Sequence, residues 1–234
     1  MVRAIRYVAY LANCIYFCLP VLTITNLTKA YSGRTVLRVP QLHLESGVHY
    51  FRGSNGSGKT TFFRTVAGLL PFSGAILLDE RYEINRDPVA YRMRVNYAEA
   101  EPLYPSFLTP RDLVGFVGKA KQAPVEQIDV VAELLGVNTF WTQPTGTFSS
   151  GMLKKLSLLL ALLGSPKLVL LDEPLTTLDV ATAAKLFTYI RQLRSDRNVT
   201  FLLTSHQDVS LTGLELTATW QVGDGSITPV ALPH

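Results

Sequence analysis

From Val21 onward the chain alternates short apolar runs with stretches of helical periodicity. Val21-Leu22-Thr23-Ile24-Thr25-Asn26-Leu27 predicts an opening strand, and Val48-His49-Tyr50-Phe51 a short one ending at Gly53. Leu168-Val169-Leu170-Leu171 and Thr200-Phe201-Leu202-Leu203 are uninterrupted apolar runs, the kind a parallel sheet buries on both faces. Thr219-Trp220-Gln221-Val222 reads as a last strand before an Asp224-Gly225 turn. Residues 104–163 differ. Thr109-Pro110-Arg111-Asp112 offers a helix cap with a first-turn proline. A second helix fits Val125 to Leu135 and stops at Gly136, and a third runs from Ser150 to about Leu163, before Gly164-Ser165-Pro166. No internal repeat or low-complexity tract is visible. The pattern predicts an α/β core with a largely parallel sheet and an inserted helical region.

The first twenty residues stand apart. Sixteen of them are hydrophobic, and they carry Arg3, Arg6, both cysteines (Cys14 and Cys18) and no acid. Their apolar stretch, Tyr7 to Leu19, is shorter than the roughly 20 residues a spanning helix needs. A basic start and apolar middle resemble a secretory signal, and a membrane-surface helix is the other functional reading. The preferred expectation is a dispensable extension from a start site placed too early, leaving residues 21–234 as one domain.

Composition matters mainly through that segment. At 234 residues, 47% hydrophobic and 17% charged, the chain has enough apolar side chain for a core and excludes a disordered tail or coiled coil. The formal charge of +4 falls to +2 without Arg3 and Arg6, since 22 − 18 becomes 20 − 18. Nucleic acid is therefore not an expected partner.

Gly53-Ser54-Asn55-Gly56-Ser57-Gly58-Lys59-Thr60 satisfies the Walker A pattern, with a strand before it and a helical run after it. The glycines let backbone N–H groups converge on phosphate oxygens, and the helix N-terminus adds its positive end. Lys59 is expected to reach the β- and γ-phosphates, the Thr60 hydroxyl to ligate Mg²⁺, and Thr61 to hydrogen-bond phosphate. ATP and Mg²⁺ are the implied cofactors. The 168–171 run ends in Asp172 and Glu173, one placed to hold Mg²⁺ and the other to polarise attacking water. His206 follows the 200–203 run and is placed to contact the γ-phosphate, whereas His43 and His49 are read as solvated.

With these motifs in place, residues 22–228 resemble the nucleotide-binding subunits of ABC transporters. Phe148-Ser149-Ser150-Gly151-Met152 occupies the place of that family's LSGGQ signature, with Lys154 and Lys155 following it. It departs at Phe148, Ser150 and Met152 but keeps Ser149 and Gly151. Thr176-Thr177-Leu178-Asp179 matches the D-loop, and Tyr31, 22 residues before Gly53, matches the aromatic that stacks on adenine. A larger departure is Ala100, where the family has a glutamine that touches Mg²⁺ and signals to the membrane subunit. Glu99 or Glu101 is the available substitute.

The resemblance implies a P-loop NTPase of ABC-ATPase type, with a RecA-like mixed-sheet core and a helical subdomain at about 104–163. It implies a head-to-tail dimer in which Ser149, Ser150 and Gly151 of one subunit face the ATP on the other's Walker A. It also implies a separate transmembrane permease, docked near the 97–110 loop, and a peripheral place on the cytoplasmic face of the cell membrane. Short export-type ATPases, including those of haem export, are the nearest in kind. A catalytically weakened partner in an asymmetric dimer, motivated by Ala100, and a non-transport ABC-type ATPase are the rival readings.

Overall fold

The computed structural model describes residues 20–205 and 213–230. In chain order these form β1 (Leu22–Tyr31), β2 (Arg34–Leu44), β3 (Val48–Arg52), α1 (Lys59–Val66), β4 (Ser73–Leu78), β5 (Tyr82–Glu83), α2 (Pro88–Arg94) and β6 (Val95–Ala98). There follow α3 (Pro110–Ala120), α4 (Val125–Leu135), α5 (Ser150–Ala161), β7 (Leu168–Leu171), α6 (Val180–Arg197), β8 (Thr200–Thr204), β9 (Ala218–Gly223) and β10 (Ser226–Val230). Residues 1–19, His206 with the neighbouring 207–212, and 231–234 lie outside this description.

Two sheets are present among the described residues. One is four-stranded and antiparallel in the order β2-β1-β4-β5. The other has six strands in the order β10-β9-β3-β8-β7-β6, parallel from β9 to β6, with β10 antiparallel at its edge. The α/β prediction with a mixed sheet is thus met. So are the bounds of the 168–171 strand and of the 125–135 helix. The final hairpin strand β10 follows the Asp224-Gly225 turn that the sequence reading took as the chain's last feature.

The central strands are apolar throughout because they separate two cores. Leu168, Leu170 and Leu202 pack with Phe51, Phe62 and Phe63 on the side of α1 and the antiparallel sheet. Val169, Leu171, Phe201 and Leu203 pack with Leu135, Leu156 and Ile190, from α4, α5 and α6, on the other. Alternate residues of a strand point to opposite faces, so no position on β7 reaches water. Phe51 meets Phe62 and Phe63 with ring centroids 5.2 and 5.6 Å apart, which fastens α1 to β3 directly after the glycine-rich loop.

The helices start where local chemistry dictates. Thr109 caps α3 by accepting from Asp112 N at 3.2 Å, while Asp112 Oδ2 accepts from Thr109 N at 3.0 Å, a reciprocal capping box. Ser149 caps α5 and Asp179 caps α6.

His49 corrects the sequence reading: it is buried, not solvated. It lies on β3, flanked by β9 and β8 inside the six-stranded sheet, and its ring packs beside Trp220 of β9. Its Nε2 donates to Glu45 O at 2.8 Å and its Nδ1 accepts from Trp220 Nε1 at 3.3 Å, contacts that select the neutral ring. Burial pulls its pKa below the ordinary 6.5. The neutral ring's contribution to stability is full above 6.5 and is lost as pH falls from there through the lower folded-state value. The wild-type urea midpoint should therefore drop more between pH 7.5 and pH 5 than that of His49→Gln. Equal drops would refute the role given to His49.

Candidate functional site

The parallel strands β3, β6, β7 and β8 all deliver their C-terminal ends to one edge of the sheet, where ligands of open α/β sheets bind. From β3 the chain enters the glycine-rich loop and then α1. Gly58, the residue before that helix, has φ 107°, a left-handed conformation that side-chain-bearing residues avoid. Its place is also tight, since a Cβ there would come within 3.1 Å of Leu37 Cδ2. Lys59 folds back over the loop and donates to Gly53 O at 2.7 Å and Ser54 O at 3.1 Å. The Ser57 hydroxyl is buried and lacks a hydrogen-bond partner among the described residues.

Asp172 and Glu173 follow β7 at the same edge. Asp172 is 1% exposed, and its two carboxylate oxygens are held separately. Thr204 Oγ1 donates to Oδ1 at 2.6 Å, and Tyr97 OH donates to Oδ2 at 3.2 Å. Thr204, at the end of β8, also accepts from Glu173 N at 2.9 Å. That contact holds Glu173 at φ 50°, left-handed for a residue with a side chain, a cost of about 1–3 kcal/mol that surrounding structure must sustain. Burial and the nearby Asp172 carboxylate push the Tyr97 phenol well above its ordinary range, so it remains a donor.

These pieces line one cavity of about 440 Å³, open to Asn55, Gly56, Lys59, Thr60, Asp172 and Glu173. Ser57, Gly58 and Thr61 complete its loop side. Ser54 lines an adjoining cavity with Asn55 and Arg34. The donor set fits a magnesium–nucleotide: a lysine, an unpartnered buried hydroxyl and a helix start for phosphate, with Thr60 and Asp172 for the metal. Magnesium takes few protein oxygens and shares the rest with phosphate and water, so no cage of carboxylates is needed.

Of the two acids beside Ala100, Glu101 lines the cavity, whereas Glu99 pairs with Arg64 at 3.3 Å. Tyr31 stands at the end of β1, 44% exposed, outside the lining of either cavity, with the Lys29 ammonium 4.5 Å above its ring. His206 lies beyond the described residues.

The signature residues line a further, separate cavity of about 450 Å³. Ser149 and Gly151 line it with Met152, Lys155, Thr177 and Asp179. Ser149 Oγ accepts from Met152 N at 3.3 Å, and Ser150 is the exposed first residue of α5. Gly151 is required by packing, because a Cβ there would sit 2.9 Å from Thr177 O. Lys155 Nζ meets Asp179 Oδ2 at 2.9 Å, tying the start of α5 to the start of α6. Donation from Thr182 N, and then from Lys155, draws Asp179 well below the usual carboxylate range.

Residues 39–176, more than half the chain, match the ABC transporter family model. The chain belongs to the ABC transporter family. Among curated relatives, a Bacillus subtilis protein named "Uncharacterized ABC transporter ATP-binding protein YhcH" is 31% identical over 188 residues, covering 80% of this chain and 62% of the relative. "Molybdenum import ATP-binding protein ModC" of Rhizobium etli is 34% identical over 171 residues, covering 69% of this chain and 48% of the relative. The chain thus spans less than two thirds of these relatives' length. A solved structure titled "Structure of ATP binding subunit of ABC transporter" superposes with a TM-score of 0.79 at 20% identity, covering 91% of this chain and 90% of that one. That likeness places the fold as the ABC ATPase fold. Members of this family bind ATP, and the matched residues 39–176 span both the glycine-rich loop at 53–60 and the 148–152 segment.

Two contributing residues escaped the sequence reading. Thr204 was visible only as part of the run before His206, and Tyr97 only as a residue near Ala100. Their contacts with Asp172 join residues 32 and 75 apart in sequence, and no local pattern marks them.

Proposed function

We propose that this chain is the ATP-hydrolysing subunit of an ABC transporter and works in a head-to-tail dimer on a separate transmembrane permease. The observation that carries the dimer is the separation of the two cavities: Lys59 and the carboxylates line one, Ser149 and Gly151 the other. A second copy turned end to end would set its Ser149 cap over the first copy's phosphate loop. There the α5 N-terminus and the Ser149 hydroxyl would add donors to those of Lys59 and the α1 start.

Within each site Lys59 and the loop amides would hold the β- and γ-phosphates, and Tyr31 would offer adenine its ring face opposite Lys29. Thr60 and Asp172 would hold Mg²⁺, which supplies charge neutralisation at the phosphates. Glu173, aimed by the Thr204 contact, would take the proton of the attacking water. His206 is assigned to the γ-phosphate on sequence alone. Glu101, rather than Glu99, is the acid placed to stand in for the glutamine absent at Ala100.

Support for a docked permease comes from the 97–110 loop, where Leu103 and Phe107 are 88% and 76% exposed. Among the described residues no helix is long and apolar enough to cross a membrane. By likeness to the family the proposed place is peripheral, on the cytoplasmic face, and the proposed direction is export. That direction rests on the sequence's likeness to short export-type ATPases.

The dimer is tested by cross-linking chains that carry Asn55→Cys to chains that carry Ser150→Cys, with Cys14 and Cys18 replaced by serine. Both positions are exposed. With Mg·ATP and Glu173→Gln present, the mixed cross-link should accumulate and the Asn55–Asn55 one should not. Absence of the mixed product although ATP binds, or a dominant Asn55–Asn55 product, would reject the head-to-tail arrangement.

A further inference from the structure

Lys154 lies in the first turns of α5, is 1% exposed, and has no task in the site as described so far. Its Nζ donates to Glu99 O at 2.7 Å, to Ala100 O at 3.0 Å and to Asp172 O at 2.9 Å. An ammonium has three N–H donors, so its hydrogen-bonding capacity is used in full. The three acceptors belong to two pieces of chain far from α5 in sequence, the loop after β6 and the end of β7. Asp172, Glu173, Glu101 and Glu99 all lie near enough to act on its charge.

A buried cation is costly unless fully hydrogen-bonded, and an apolar side chain would fill the space at lower cost. What a lysine supplies here, and a leucine cannot, is a tie between backbones. The loop it grips is the one in which Ala100 replaces the glutamine that the resemblance leads one to expect. The loop and the strand leading into it have two other anchors: Tyr97 of β6 on Asp172, and Arg64 on Glu99 at 3.3 Å.

We propose that Lys154 is the positioning residue that couples the signature helix to the phosphate end of the site, holding the Glu99–Glu101 loop and the Asp172 carbonyl to α5 so that the three move as one. The link runs from the Lys154 side chain to the backbone carbonyls of the loop. The inference rests on the reading that ATP binds beside Asp172 and Glu173.

Hydrogen exchange of the full chain, with and without Mg·ATP in a Glu173→Gln background, separates the two ideas. ATP should slow exchange at residues 53–61 whether position 154 is lysine or methionine. In Lys154→Met, exchange at residues 98–101 should rise about tenfold or more, the scale of losing hydrogen bonds from a charged donor. It should also stop responding to ATP. Lys154→Gln, which keeps neutral donors, should shift in the same direction by less, and it serves if the methionine variant loses cooperative unfolding.

An unchanged ATP response at 98–101 in both variants overturns the coupling role and leaves ATP binding standing. So does a uniform rise across α5 and β7 with that response kept, which is what a merely structural lysine would give. If ATP fails to protect 53–61 in the Lys154 protein, the ATP reading fails. The nucleotide-free comparison at 98–101 then still reports whether Lys154 ties the loop.

Discussion

Glu173→Gln is expected to cut ATP turnover by about 10²–10⁴-fold, the usual contribution of a positioned general base. ATP binding should persist, because the proposed phosphate contacts come from Lys59 and the loop. The carboxylate lines the cavity between Asp172 and the loop, and its backbone is held left-handed by the Thr204 contact. A glutamine keeps that shape and loses only the ability to take a proton. Phosphate release in the steady state, set beside nucleotide binding by fluorescence, reads both effects. Ala100 makes the comparison decisive. If wild type and variant bind ATP but turn over equally slowly, and added membrane partner restores neither, the chain is the catalytically weakened member of an asymmetric pair.

Thr204→Val is expected to be the most damaging change outside the recognised motifs. The two side chains have nearly the same shape, so packing on β8 is preserved, but one hydroxyl leaves both neighbours short. Asp172 Oδ1 loses a donor at 2.6 Å, and Glu173 N loses its acceptor at 2.9 Å. Thr204 and Asp172 are 0% and 1% exposed, which leaves water little access to replace either bond. Orphaning buried groups of this kind costs about 2–4 kcal/mol in all. The urea midpoint should fall accordingly, and turnover should drop at least about tenfold as Glu173 loses its aim. Thr204→Ser keeps the hydroxyl and should restore most of both. A valine variant with the wild-type midpoint and wild-type turnover would show that the hydroxyl matters to neither residue.

Much of this architecture could be read in advance, for identifiable reasons. Continuous apolar runs such as 168–171 are legible because a strand with helices on one face and a second sheet on the other has no polar side. The 125–135 helix is legible because both its ends are marked. The antiparallel sheet is largely not. β2 mixes Arg34, Arg38 and Pro40 with its apolar residues, as an edge strand with one wet face does, and resembles a loop. His49 was misjudged because a histidine's surroundings depend on which strand lies beside it, and Trp220 arrives from 171 residues away. At the site the motif residues carry their own label. Thr204 and Lys154 carry none, since each acts on residues that only the folded sheet brings near.

The two-sided burial of β7 has a further consequence for how strands find their alignment. In a half-wet strand, sliding by one residue is forbidden because it would turn greasy side chains to water. Here a slide would only exchange Leu168 and Leu170 with Val169 and Leu171, moving similar side chains between two equally dry compartments. Hydrophobicity alone therefore specifies the alignment weakly. The discriminating contacts are polar pegs at the strand ends. Asn96 on β6 donates to Ala161 O and Leu163 O, both at 2.8 Å, and Asp172 receives Thr204 and Tyr97. The carboxylate proposed to hold Mg²⁺ is in this sense also a folding instruction. Variants that blunt it should be sought among misaligned chains as well as inactive ones.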